Sequence, residues 1–385
     1  MQTHLHKITS KLPNAKTTIF TTVGVLASKY NAVNLSQGFP DFDMDPKLVQ
    51  LVNSAMKKGC NQYAPMPGVF ALREVISEKI ESLYGATYHP ENEITLTIGA
   101  TQAIFTAITA FISPNDEVIV FKPAYDCYEP AIEVNGGIPV LIQLLGKNFK
   151  IDWEDFKNKI TPRTKMVIIN TPHNPSGTIL SKEDVLQMQE ILRDTNIIVI
   201  SDEVYEHIVF DGRKHESFSK YSDLASRSFI CSSFGKTFHA TGWRLGYCAA
   251  PNELMKEFRK THQFMVFSAH HPSQIALTEY IKSPESYLSL NSFFQEKRDF
   301  FLENIKDSRF KFTPCQGTYF QILDYSNITN ESDVALCERL IVEHGLASIP
   351  LSVFNVNQLD NKQLRFCFGK KKETLKKAVE ILNTL

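Results

Sequence analysis

Lys236 stands in Ser233-Phe-Gly-Lys-Thr-Phe-His-Ala-Thr-Gly-Trp-Arg-Leu-Gly-Tyr247, directly after an apolar run. Gly235-Lys236-Thr237 could be the end of a nucleotide-cradling P-loop. That motif needs a glycine five positions before Gly235, and Ile230 stands there. The lysine is therefore either a surface charge or an amine held at the ligand edge of a sheet. Upstream, Ile197-Ile-Val-Ile-Ser-Asp202-Glu-Val-Tyr205 ends an apolar run in an acid, with His207 just beyond. Such an acid caps a helix or a loop, or starts a metal site with Glu203 and His207. No second ligand cluster accompanies them, which argues against a metal. Asn174 lies in Asn170-Thr-Pro-His-Asn-Pro-Ser-Gly177, a run of turn formers after another apolar segment. Ile94-Thr-Leu-Thr-Ile-Gly-Ala100-Thr101-Gln102 reads as a strand running into a helix. Free N–H groups at a helix start bind phosphate without a glycine fingerprint.

These residues need a frame that brings them to one edge. The spacing predicts strands at Ile94–Gly99, Glu117–Lys122, Ile138–Leu144, Lys165–Thr171, Ile197–Asp202, Arg227–Ser233 and Arg244–Ala250. Several are apolar throughout, as strands buried on both faces should be. Amphipathic stretches such as Thr101–Phe111 and Lys182–Arg193 separate many of them. Alternation of this kind predicts an α/β fold with a mainly parallel seven-stranded sheet. Right-handed crossovers then put the loops that follow the strands on one ligand-binding edge. The last hundred residues predict a smaller α+β domain. Its elements are a helix over Tyr287–Ile305, strand-like pieces at Lys311–Asp324, Leu346–Ile349 and Gln363–Phe368, and a closing helix from Lys372. We place the large domain at 46–285 and the small one at 286–385, with 1–45 packing against the small domain.

Length and composition narrow the class. The 385 residues suit two domains. A hydrophobic fraction of 43%, a charged fraction of 22% and a net charge of −1 are those of an ordinary globular protein. Nothing in that balance suggests a nucleic-acid partner or an anionic membrane. The first residues lack the apolar core of a signal peptide, and no stretch reaches the roughly 20 apolar residues of a membrane span. The seven cysteines are scattered and never spaced as CxxC, which fits reduced thiols in a cytoplasm.

Taken in order, GATQ, HNPSG, SDEVYEH, SSFGKT followed by TGWR and GY, and RFCF resemble the fold-type I, class I/II aminotransferase family over essentially the whole chain. The resemblance implies pyridoxal 5′-phosphate (PLP) as cofactor and a role for each matching residue. Lys236 would hold the cofactor as a Schiff base and move the proton between substrate and cofactor. Asp202 would pair with the pyridine nitrogen and keep the ring an electron sink. Asn174 and Tyr205 would bond the phenolic oxygen, and Tyr125 would stack on the ring. Ala100, Thr101, Gln102, Ser233 and Arg244 would hold the phosphate, the guanidinium by two parallel donors. Arg365 would grip the substrate carboxylate, with Asn174 and Gly38 beside it. Tyr63 resembles a tyrosine that reaches the neighbouring subunit's phosphate, which implies a homodimer with shared sites.

Further segments, NQYAPMPG, AYDCYEPAIEVNGG, CQGTYF and IPLSVF among them, look like the kynurenine aminotransferase and glutamine transaminase K group. The likeness is strongest to its bacterial methionine aminotransferase branch. Methionine is then the expected amino donor, with phenylalanine, tyrosine, glutamine and kynurenine next, and a 2-oxo acid the acceptor. Dicarboxylate-specific relatives carry a second cation somewhat after the lysine segment. Here that stretch reads Gln263-Phe-Met-Val-Phe-Ser-Ala-His-His271, without arginine. Thr101 stands where kynurenine aminotransferases often carry tyrosine, and Gly235 where many members carry serine. The alternatives are kynurenine–oxoglutarate transamination as the main activity, or a cysteine-S-conjugate β-lyase using the same Lys236 and Asp202.

Overall fold

The computed structural model describes residues 9–385. A short strand β1 (Val33–Asn34) opens the fold. A seven-stranded sheet follows, made of β2 (Ile94–Thr97), β3 (Glu117–Lys122), β4 (Ile138–Gln143), β5 (Thr164–Asn170), β6 (Ile198–Asp202), β7 (Ser228–Ser233) and β8 (Gly246–Ala249). Its order is β2-β8-β7-β6-β5-β3-β4. All pairs are parallel except the two made by β8, which runs against both β2 and β7.

Alternation along the apolar strands explains why the sheet is covered on both sides. Ile119, Val167, Ile169, Val199 and Ile230 point into one core cluster. Val118, Val120, Met166, Ile168, Ile200 and Phe229 point into the other. The helix Ala100–Phe111 presents Ala100, Ala103, Ile104, Ala107 and Ile108 to the second cluster, spaced as one face of a helix. Helix Lys182–Leu192 gives Val185, Met188 and Leu192 to the first. Its start is fixed by a capping box between Ser181 and Asp184.

The C-terminal part adds β9 (Phe320–Asp324), β10 (Leu346–Ala347), β11 (Ile349–Pro350) and β12 (Gln363–Cys367). Strands β11, β12 and β9 form an antiparallel sheet in that order. β1 pairs in parallel with β10, so the N-terminal run lies along this part of the chain.

The piece expected at Leu346–Ile349 divides into β10 and β11, which join different sheets, and three other elements depart clearly from their expected bounds. The strand expected from Arg244 begins only at Gly246, because Arg244 takes a left-handed conformation (φ 49°, ψ 57°) after the turn Thr241–Trp243. The piece expected over Lys311–Asp324 is regular only from Phe320, with an isolated bridge from Lys311 to Asp324. Pro314 and Gly317 interrupt the run between them. The helix expected over Tyr287–Ile305 is two helices, Glu285–Leu288 and Leu290–Ile305, which meet at Ser289.

Candidate active site

The sheet topology decides which residues meet. The C-terminal ends of β2, β3, β5, β6 and β7 share one edge, and antiparallel β8 brings its N-terminal end there too. This edge therefore gathers Gly99–Gln102, Tyr125, Asn174, Asp202–Tyr205, Ser233–Lys236 and Arg244. It is the edge at which ligands bind in open α/β sheets.

Lys236 sits in the helical turn Phe234–Thr237 immediately after β7. Its Nζ donates to the Gly38 carbonyl at 2.9 Å. It also lies 5.8 Å from the Tyr205 ring centre and 5.9 Å from that of Tyr319. Burial lowers its pKa to about 8, further helped by the Arg365 and Arg244 charges. About a tenth of the amine is then unprotonated at pH 7, far more than for an ordinary lysine. Gly38 belongs where it is for a steric reason: a Cβ there would stand 2.8 Å from the Phe320 ring. Its carbonyl also accepts the Tyr319 hydroxyl at 2.8 Å.

Asp202 ends β6 and is 4% exposed. Burial pushes its pKa up to about 6, against the pull of hydrogen bonds from Tyr128 and the Val204 N–H and of the Lys236 charge. The Tyr128 hydroxyl donates to Oδ2 at 2.5 Å, and the Val204 N–H to Oδ1 at 3.3 Å. Asp202, Glu203 and His207 do not converge. Glu203 turns to His215 at 2.7 Å, and His207 to Lys79 at 3.0 Å.

Arg365 lies on β12, 1% exposed, and reaches across to the large sheet's edge. Its Nη1 donates to Asn174 Oδ1 at 2.9 Å and its Nη2 to the Ser36 carbonyl at 2.7 Å. Its buried Nε has no hydrogen-bond partner among the described residues. The Phe20 and Phe320 rings flank the guanidinium at 5.3 and 4.1 Å. Asn174 commits its oxygen to Arg365, so its amide N–H2 is the end left for a ligand. Its backbone N–H is held by Asn170 Oδ1 at 2.7 Å, and Asn170 Nδ2 holds the Asp202 carbonyl at 2.8 Å. One asparagine thus sets the spacing of two site loops.

A second donor group lies at the start of helix Ala100–Phe111. Gly99 precedes it with φ 89°, a conformation that favours glycine. Ala103 makes the first bond back to the Gly99 carbonyl, so the N–H groups of residues 100–102 point out of the helix end. A Cβ on Gly99 would stand 2.8 Å from Arg244 Nη2, and one on Gly246 3.1 Å from the Ala100 nitrogen. The two glycines let the helix end, β8 and the guanidinium approach closely. Ser233 ends β7 beside them. Gln102 offers only its backbone: its side chain is bonded to the Ile98 N–H, Thr106 and His262.

Tyr125 lies near the same edge, its ring 5.9 Å from that of Tyr128. Tyr63 is not brought to Lys236 in this chain. It is 81% exposed and touches Phe267 edge-on at 5.2 Å between ring centres. His270 is exposed, and His271 Nδ1 donates to the Gln62 carbonyl at 3.0 Å. Sequence reasoning missed Tyr128, Tyr319, Asn170 and Ser36. For Tyr128 a signal existed, since it lies one helical turn beyond Tyr125. The other three are set by contacts between distant parts of the chain.

The comparisons with known proteins agree with this arrangement. Residues 30–382 match the family described as aminotransferase class I and II. The methionine aminotransferase of Escherichia coli (strain K12) is 46% identical over 377 residues, covering 98% of each chain. A probable N-succinyldiaminopimelate aminotransferase of Mycobacterium tuberculosis is 34% identical, again over 98% of each. The fold superposes with a TM-score of 0.96 on a solved E. coli structure reported to identify a methionine aminotransferase function. That structure is 45% identical over 99% of this chain and 100% of the other. The chain belongs to the class I and II aminotransferases.

Proposed function

We propose that the protein transfers the α-amino group of methionine, or of an aromatic or uncharged amino acid, to a 2-oxo acid, with PLP held at Lys236. The observation that carries the reading is Arg365: a buried guanidinium with a free Nε donor, walled by Phe20 and Phe320. A carboxylate answers the guanidinium, and an apolar substituent answers the walls.

The residues present fit the cofactor. The cradle kept by Gly99 and Gly246 presents three helix N–H groups, Ser233 and Arg244, a donor set suited to a phosphate dianion. Asp202 would face the ring nitrogen, Asn174 and Tyr205 the phenolic oxygen, and Tyr125 the ring face. PLP, when bound, supplies a ring that takes up the charge left when a substrate Cα loses its proton. The chain does the rest. Arg365 fixes the substrate carboxylate and so the direction of the Cα–H bond. Lys236 Nζ, with its pKa lowered to about 8, takes that proton and returns it one step later. Asp202 keeps a buried negative charge where the ring nitrogen needs one.

Tyr63 supports shared active sites. A tyrosine 81% exposed beside exposed Phe264 and Phe267 suits delivery to a second copy of the chain. Light scattering should then give twice the 43.7 kDa chain mass. A monomer that is fully active would overturn this part of the reading.

The deciding experiment mixes the PLP form with single amino acids and follows its spectrum without acceptor. Methionine is expected to react fastest, then phenylalanine and tyrosine, with aspartate at least about tenfold slower, since the stretch Gln263–His271 brings no arginine to its second carboxylate. Aspartate reacting fastest would sink the assignment. A cysteine conjugate yielding pyruvate and ammonia faster than methionine reacts would favour the β-lyase. Localisation in the cytoplasm is part of the same proposal, supported by cysteines that are all free thiols.

A further inference from the structure

A cleft of about 880 Å³ lies apart from the residues that meet at Lys236. Its walls come from segments around Lys150 and Leu180 on one side and around Pro314 and Gln363 on the other. None of Lys236, Asp202, Arg244 or Arg365 lines it. Its volume is that of a small-molecule site.

The lining specifies a ligand chemistry. Phe149, Trp153 and Phe312 make apolar surface. Lys150, Arg213 and Lys311 bring three exposed positive charges. The two acids of the cleft are already answered. Asp324 pairs with Lys147 at 2.8 Å, and Asp184 accepts the N–H and hydroxyl of Ser181 at 2.9 and 2.8 Å. Four cations thus face two carboxylates, and the cleft keeps a net positive charge of two. Gln363, 6% exposed, buries its Oε1 with no hydrogen-bond partner among the described residues. A buried acceptor left unpaired is costly, and a ligand donor would satisfy it.

We propose that this cleft is a second small-molecule site, for a carboxylate with an aromatic body and one N–H or O–H donor. The aromatic body covers the apolar wall, the carboxylate meets the lysine and arginine charges, and the donor reaches Gln363. The site is placed to be felt at the first one. Ser176, in the cleft, follows Asn174 by two residues, and Gln363 precedes Arg365 by two on β12. An occupant spanning both walls therefore restrains the two segments joined by the 2.9 Å Arg365–Asn174 bond.

Indole-3-propionate has the required body, charge and donor, and calorimetric titration of the holoenzyme tests the proposal. Two molecules per chain are expected, one at Arg365 and one in the cleft. Lys150→Glu, Arg213→Glu and Lys311→Glu together should weaken one of them at least tenfold. These side chains are exposed, so the fold should tolerate the change. Arg365→Lys should weaken the other and spare the cleft. Binding to the parent chain whose stoichiometry and affinities both ignore the triple substitution would overturn the second site. Loss of the Arg365 arm alone would count against the active-site reading and leave the cleft standing.

Discussion

Lys236→Ala is expected to lower amino transfer by about 10⁴-fold or more while leaving the fold intact. The amine serves twice in the proposed reaction, as attachment point and as proton carrier, and no neighbour replaces it. The guanidinium groups of Arg244 and Arg365 hold their protons too tightly to act as a base. Tyr205 and Tyr319 are pushed to higher pKa values by burial, so neither is a base at pH 7. The fold loses little. The Gly38 carbonyl that accepts from Lys236 still accepts from Tyr319, and the removed group is an ammonium that burial disfavours. Borohydride reduction of the holoenzyme followed by peptide mass gives a readout separate from turnover. The parent should carry a pyridoxyl mass on the Lys236 peptide, and the variant none. A variant with the parent's rate, or a label fixed to another lysine, would refute the assignment.

The parts of this site that were legible in the sequence are those fixed by the sheet. Asp202, Ser233 and Ala100 each follow a run apolar enough to be a strand buried on both faces. Topology then carries every such end to one edge. Arg244 was legible as a residue but not as a conformation. Its left-handed φ and the late start of β8 have no glycine or asparagine to announce them. Arg365 was legible only through the family resemblance. Its partners Ser36 and Asn174 lie 329 and 191 residues away, and no local pattern encodes such contacts.

Glu206 is a harder case. In the sequence it is one acid in a charged stretch. In the structure it is buried, paired with Lys79 at 2.7 Å and bonded by Tyr84 and Ser232 at 2.7 Å each and by Tyr247 at 3.2 Å. The Lys79 charge holds its carboxyl well below the usual range, although burial alone would raise it. A carboxylate with so many donors ties the turn that carries Tyr205 to β7 and β8. Buried charges persist only with such partners, and the partners come from three separate elements, the helix Phe70–Tyr84, β7 and β8. That is why reading along the chain cannot find them.

Asp202→Asn separates two properties that the native carboxylate combines, charge for the cofactor and cost to the fold. The variant should still bind PLP through the phosphate donors and Lys236. Amino transfer should fall by about 10²–10⁴-fold, the equivalent of the roughly 3–5 kcal/mol lost when one partner of a buried charge pair is removed. The same substitution should remove a destabilising pH dependence from the apoprotein. An aspartate that titrates near 3.8 when unfolded and near 6 in the fold is harder to ionise after folding. The unfolded chain therefore releases its proton first as pH rises. Stability falls between about pH 4 and pH 6, by up to about 3 kcal/mol for a shift of this size. Tyr128 and the Val204 N–H already limit that cost, and both can still donate to the amide oxygen or pack against it. Thermal unfolding of the two apoproteins at pH 4 and pH 7.5 reads the effect. The variant should gain on the parent as pH rises. Equal stabilities at both pH values would mean that Asp202 ionises as readily in the fold as in the unfolded chain. Full activity with that result would remove Asp202 from the mechanism, because a neutral amide holds no charge at the ring nitrogen. Loss of activity with a stability gain confined to the higher pH is the pattern that only a buried, functional carboxylate produces.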